Sequence, residues 1–144
     1  MNNAQHWYKT QKRPRWAPPA WLFGPVWTVL YALIIVSFGT VFYKVSLGEL
    51  PAIAALPFVL NLIFNVIFSP IQFRLRSNVL AAVDVILVLL TLVWALFTIY
   101  VFSLTQHIST GASDLEWIIY ANIPYLLWVS FATVLQLTVT YLNK

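Results

Sequence analysis

The chain predicts an all-α fold: an integral membrane bundle of four transmembrane helices. Three observations carry this. Residues 16–43, 50–73 and 117–143 contain no Asp, Glu, Lys or Arg, and 77–113 contain only Asp84. An apolar run of about 20 residues crosses a bilayer core as a helix, because a helix satisfies its own backbone hydrogen bonds where water is absent. Each of the four stretches exceeds that length. Composition agrees, with 61% hydrophobic and 8% charged residues, against about 25% charged in soluble domains. Finally, the flanking charges sort by side. Lys9, Lys12, Arg13 and Arg15 precede the first span, Arg74 and Arg76 separate the second from the third, and Lys144 follows the fourth, whereas the opposite side holds Lys44, Glu49, Asp114 and Glu116. The positive-inside rule then puts both termini in the cytoplasm or on the equivalent face of an organelle.

The helices are expected at roughly 20–44, 51–74, 77–105 and 116–142. Pro18 and Pro19 precede the first, where missing N–H groups cost little, and Pro25 falls near its first turn. Pro51 starts the second, which Pro57 and Pro70 should bend near each end. Ser77 and Asn78 are caps for the third. The loop around Ser109, Thr110, Gly111 and Ser113 breaks the second half of the chain, and Pro124 should kink the fourth helix, which neighbouring helices tolerate in a membrane. Trp7, Trp16, Trp21 and Trp117 lie near the interfaces, where aromatic belts form. No repeat or linker divides the chain, so residues 1–144 read as one transmembrane domain.

Several functions are disfavoured. The chain has no Cys, which excludes disulfides and thiolate metal sites. The pI near 9.6 reflects topology determinants around a hydrophobic bundle, not a nucleic-acid surface. No Gly-rich phosphate loop, Ser/His/Asp arrangement or pair of carboxylates within a span is present, so no catalytic residue is assigned. His6 and His107 lie far apart without a third ligand type, which argues against a metal site. No cleavable signal peptide is visible.

Polar residues inside the spans carry the functional information, because lipid makes them costly. Asn61, Asn65 and Gln72 share one face of the second helix, with Phe68 and Ser69 between them. Trp27 and Tyr31 are one turn apart on the first helix. On the fourth, Trp128 and Ala132 share one face, and Thr133, Gln136 and Thr140 an adjacent one. Such residues are either interhelical glue, contributing about 0.6 kcal/mol each, or the lining of a cavity. Asp84 is the sole acidic residue within a span. It is either a proton relay or a structurally paired group, and pairing with the interface or a neighbouring donor is the favoured expectation.

The segment Trp7-Tyr8…Lys12-Arg13-Pro14-Arg15-Trp16-Ala17-Pro18-Pro19 resembles the WY…KPxWxPP signature of the tryptophan-rich sensory protein / translocator protein (peripheral benzodiazepine receptor) family. Trp21-Leu22-Phe23-Gly24-Pro25-Val26-Trp27-Thr28-Val29-Leu30-Tyr31 is similar to its WxFGPVWTxLY pattern. Residues Leu60–Ser69 resemble LNxxFNxxxS, Pro124–Ala132 resemble PYLxWxxFA, and Leu142-Asn143 matches the usual ending. The motifs run in order from residue 7 to 143. Gln136 stands where the family usually has Asn. Family members have five transmembrane helices with the WxPP loop between the first and second, so this chain, which begins at that loop, is expected to lack the family's first helix.

The resemblance implies a pocket opening towards the WxPP face and binding porphyrins (protoporphyrin-like or heme), sterols or drug-like isoquinolines. Its lining would be Trp27, Tyr31, Asn65, Phe68, Gln72, Trp128 and Ala132, with Trp7, Tyr8 and Trp16 in a lid formed by residues 1–19 over the bundle of 20–143. A flat macrocycle stacks on Trp and Tyr faces while Asn65 and Gln72 bond its polar edge. Arg13, Arg15 and Arg74 would meet porphyrin propionates. No obligatory cofactor is implied. Porphyrin breakdown has been attributed to family members, and Trp27 with Trp128 would serve such photo-oxidative chemistry. Leu137 or Val139, Tyr141 and Lys144 fit a proposed cholesterol pattern, although an interfacial Tyr with a terminal Lys is the favoured reading. The expected function is a receptor or sensor regulating tetrapyrrole metabolism or trafficking, in contact with membrane lipid, and the resemblance admits a homodimer. Its place would be a bacterial or archaeal cytoplasmic membrane, or the mitochondrial outer membrane in a eukaryote. The alternative is a transporter of small molecules or ions with a polar path through Asn61, Asn65, Gln72 and Asp84.

Overall fold

A computed structural model describes residues 14–69 and 78–143. All the regular structure among them is helical: α1 (Ala20–Ser46), a 3-10 turn (Ala52–Ala55), α2 (Leu56–Ser69), α3 (Asn78–Thr110), α4 (Glu116–Ala121) and α5 (Ile123–Leu142). Three stretches are long and apolar enough to cross a membrane, Trp21–Ser46, Asn78–Thr110 and Glu116–Leu142, and a shorter apolar helix covers Ala52–Phe68. The expected second span, 51–74, thus ends beyond the described residues, as does Pro70.

The boundaries depart from expectation where local chemistry overrides the apolar pattern. The second helix begins as a 3-10 turn after Pro51, and Pro57 occupies the first turn of α2 instead of bending it. There its missing N–H has no partner to lose. The third helix runs to Thr110, beyond the expected 105, and stops where Gly111 adopts φ of 83°, a conformation that Gly reaches without steric cost. The fourth span is two helices with the break at Asn122, so Pro124 sits in the first turn of α5 and does not kink it.

Leu30, Ile34, Phe38 and Val41 form a stripe at helical spacing along α1 and belong to one buried core with Phe58, Leu92, Ala95, Ile99, Ile118, Tyr125 and Val129. Phe38 stands edge-on to Phe58 with centroids 4.8 Å apart. Ala81 and Ala95 on α3 are fully buried. Small side chains allow close approach, which matters in lipid, where helices associate through packing and hydrogen bonds and not by escaping water. Many other large side chains, such as Ile35, Phe97 and Leu127, face outward, as a bilayer solvent permits.

α3 is the axis against which α2 and α5 pack, while α1 makes its close backbone approaches to the 3-10 turn and α4. These contacts hold the C-terminal end of α1. Towards its N-terminal end, side chains bridge α1 to α2 and α5. At the C-terminal end Lys44 donates to Asp114 at 2.6 Å and lies 3.5 Å from Glu49. The Lys44 ammonium, bonded to the Asp114 carboxylate, holds that carboxyl below its usual range. His107 and Glu116 approach to 3.4 Å nearby. The residues that the charge pattern assigns to one membrane face therefore meet at one end of the bundle.

Candidate functional site

Four elements meet in a chain of hydrogen bonds that all point one way. Tyr31 on α1 donates its hydroxyl to Asn65 Oδ1 at 2.8 Å, and Asn65 Nδ2 donates to the Tyr125 hydroxyl on α5, also at 2.8 Å. Tyr125 donates to Asn61 Oδ1 at 2.8 Å, and Asn61 Nδ2 donates to the Val88 carbonyl at 2.9 Å and to Thr91 Oγ1 at 3.2 Å on α3. Asn61 is fully buried and Asn65 nearly so. The sequence brought the two asparagines to one face of α2, and the structure shows what they do there. Their amides are largely occupied by protein groups, so Asn65 retains only one N–H and spare lone-pair capacity for anything else.

Aromatic rings pack in a row where side chains bridge α1 and α5. Trp27 lies 5.4 Å from Tyr31 and edge-on to Tyr125 at 6.3 Å. Phe23 meets Trp128 at 5.9 Å, and Trp128 meets Phe131 at 5.6 Å. Trp16 folds over the end of this row, 5.6 Å from Phe131 and edge-on to it. The segment before α1 is held by a turn from the Ala17 amide to the Pro14 carbonyl. Tyr31 is 40% exposed, so the polar chain reaches the surface of this aromatic row. The indole N–H of Trp128 is buried and makes no hydrogen bond among the described residues. A buried Trp usually finds a partner for its N–H.

The structure thus brings together Trp16, Trp27, Tyr31, Asn65 and Trp128 of the expected lining. Phe68 and Ala132 are partly buried, each one turn beyond Asn65 and Trp128 on their own helices. Trp7, Tyr8, Gln72, Arg13 and Arg74 lie outside the described residues, as does Lys144. Tyr125 was missed as a site residue, although it joins both asparagines. Its signal lay in the sequence: it stands three residues before Trp128, on a neighbouring part of one helix face.

Other polar residues act as glue. Gln136 Nε2 and Thr140 Oγ1 donate to the Asn78 carbonyl at 3.3 and 3.1 Å, fixing α5 against the start of α3. Tyr141 is exposed, as an interfacial residue would be. Asp84 departs from expectation. It is buried, but its Oδ2 has no hydrogen-bond partner among the described residues, so the expected structural pairing is not found. No group of His, Asp and Glu able to hold a metal occurs among the described residues.

The sequence profile of the TspO/MBR family matches residues 1–142. The chain is 34% identical over 137 residues to tryptophan-rich protein TspO of Bacillus cereus, covering 95% of this chain and 80% of that protein. It is 30% identical over 140 residues to the tryptophan-rich sensory protein of Cereibacter sphaeroides, covering 95% and 77%. The human translocator protein is 30% identical over 138 residues, covering 90% and 70%. The chain belongs to the TspO/MBR family, and it is an integral membrane protein built as a helical bundle.

Proposed function

We propose that this TspO/MBR family member is a membrane receptor that takes flat hydrophobic ligands, porphyrins foremost and sterols as a second class, between α1 and α5, and so senses or traffics tetrapyrroles. The observation that carries this reading is the Trp128 indole. Its N–H is buried in a row of aromatic rings and has no partner among the described residues. Leaving a buried donor unmade costs about 1–3 kcal/mol, and a ligand acceptor placed there recovers that loss. The rings supply the rest: Trp27, Tyr31 and Trp128 offer π faces to a planar body, with the Tyr31 hydroxyl at the polar edge. The relatives bear the names tryptophan-rich sensory protein and translocator protein, which agree with a role in sensing or trafficking. The second reading, a polar conduction path through α2, gains little support, because Asn61 and Asn65 are bonded to neighbouring helices.

Saturable quenching of tryptophan fluorescence by protoporphyrin IX in lipid nanodiscs tests the proposal. Trp128→Phe keeps a ring and removes the N–H, and should weaken binding by about 1–3 kcal/mol if the donor meets the ligand. Trp94→Phe, at an outward-facing position, should leave affinity unchanged. Equal losses at both positions would mean partition into the bundle and no defined site.

A further inference from the structure

Asp84 belongs to the face of α3 that meets α2. Asp84, Val88, Thr91 and Ala95 fall at i, i+4, i+7 and i+11, and Asn61 of α2 bonds to both Val88 and Thr91. The two helices run antiparallel in successive crossings. One turn forward from Asn61 is Asn65, and one turn back from Val88 is Asp84. The carboxyl therefore lies at the depth of Asn65, where the hydrogen-bond chain reaches Tyr31 and the aromatic row. Residue exposure there is 3%, and Oδ2 is without a partner among the described residues. Asn65 at the same depth is bonded to Tyr31 and Tyr125 and not to Asp84.

A lone carboxyl within a membrane span is costly and marks a functional group. The described residues supply no cation for it: Lys44 is tied to Asp114 at the far end of α1, and Arg15 precedes that helix. A metal ion is a poor occupant, since Ca²⁺ or Mg²⁺ asks for six or so oxygens, and Asp84 is flanked along its face by Ala81, Val85 and Val88. A single acceptor at the depth of an aromatic row suits a nitrogen cation, which gains a charge-assisted hydrogen bond from the carboxyl and cation–π attraction from the rings. We propose that Asp84 is a ligand-contacting group of this site, accepting from a basic nitrogen on an amphipathic ligand whose aromatic body lies among Trp27, Tyr31 and Trp128. This rests on the ligand-site reading above and adds to it a preference for amines.

The test uses 1-pyrenemethylamine and its neutral N-acetyl derivative, with protoporphyrin IX as a third probe. Each is titrated against the protein in phosphatidylcholine nanodiscs, with empty discs subtracting partition into lipid. Quenching of tryptophan fluorescence reads binding. The amine should bind about tenfold or more tighter than its N-acetyl derivative. Asp84→Asn should erase that preference and leave the affinity for the N-acetyl derivative within about twofold, as expected when only a charge-assisted bond is lost. Absence of the preference in the unmodified protein, or its survival in Asp84→Asn, overturns the proposal, while saturable porphyrin quenching leaves the ligand site itself standing. Failure of all three probes in the unmodified protein overturns both. Should Asp84→Asn lose every probe, Asp84→Glu decides: retained preference for the amine supports the proposal, and its loss or a lack of binding overturns it.

Discussion

Tyr125 occupies the centre of the site because one hydroxyl serves two asparagines, accepting from Asn65 and donating to Asn61. Helical spacing made the Asn61 and Asn65 face readable, since residues one turn apart must share a side. Their partners were not readable, because Tyr31 and Tyr125 stand 34 and 60 residues from Asn65 and only tertiary packing brings them close. Tyr125→Phe keeps the ring against Trp27 and Phe38 and removes only the bridging oxygen. It leaves the Asn65 N–H and the Asn61 carbonyl unpaired in the bundle interior. The expected loss of stability is about 1–3 kcal/mol, measured as a fall in thermal midpoint in nanodiscs. An unchanged midpoint would show that the two amides find other partners, in line with the weak average worth of membrane hydrogen bonds.

The fourth span shows where an apolar pattern gives an element and misplaces its joint. Residues 116–142 are as apolar as expected, and Pro124 was the only residue whose chemistry announced a break. The break lies instead at Asn122, whose Nδ2 donates to the Ile118 carbonyl at 2.8 Å and to Ser37 Oγ at 3.0 Å. That pair of bonds satisfies the end of α4 and ties it to α1. Only the fold places Ser37 there, 85 residues away. Pro124 then needs no N–H, because the first turn of a helix has no intrahelical acceptor for it. Asn122→Ala should cost about 1–3 kcal/mol by orphaning buried groups, whereas Pro124→Ala should shift stability by less than about 1 kcal/mol. Thermal unfolding of the two variants side by side checks this. A larger loss from Pro124→Ala would return the joint to the proline.

For the whole molecule, the all-helical membrane bundle and the order of its apolar stretches were legible because hydrocarbon length and backbone hydrogen bonding leave few options. Which helices touch was not legible, since the spans are apolar on most sides and a polar stripe such as Asn61 and Asn65 marks a buried face without naming the helix that meets it. The charges carry the one global signal that survives. Lys44, Glu49 and Asp114 come together at one end, while Trp16, next to Arg15, packs on Phe131 near the middle of α5. An even number of crossings accounts for both. The absence of cysteine makes this testable, because each introduced thiol reports alone. In sealed vesicles of one orientation, Arg15→Cys and Asn143→Cys should react with a membrane-impermeant maleimide from the same side. Glu49→Cys and Ala112→Cys should react only from the opposite side. Both positions of the second pair lie in exposed loops outside the helices, so labelling there depends on side and not on burial. Reaction of Arg15→Cys and Asn143→Cys from opposite sides would require an odd number of crossings, and α2 with the residues that follow it would then fail to span.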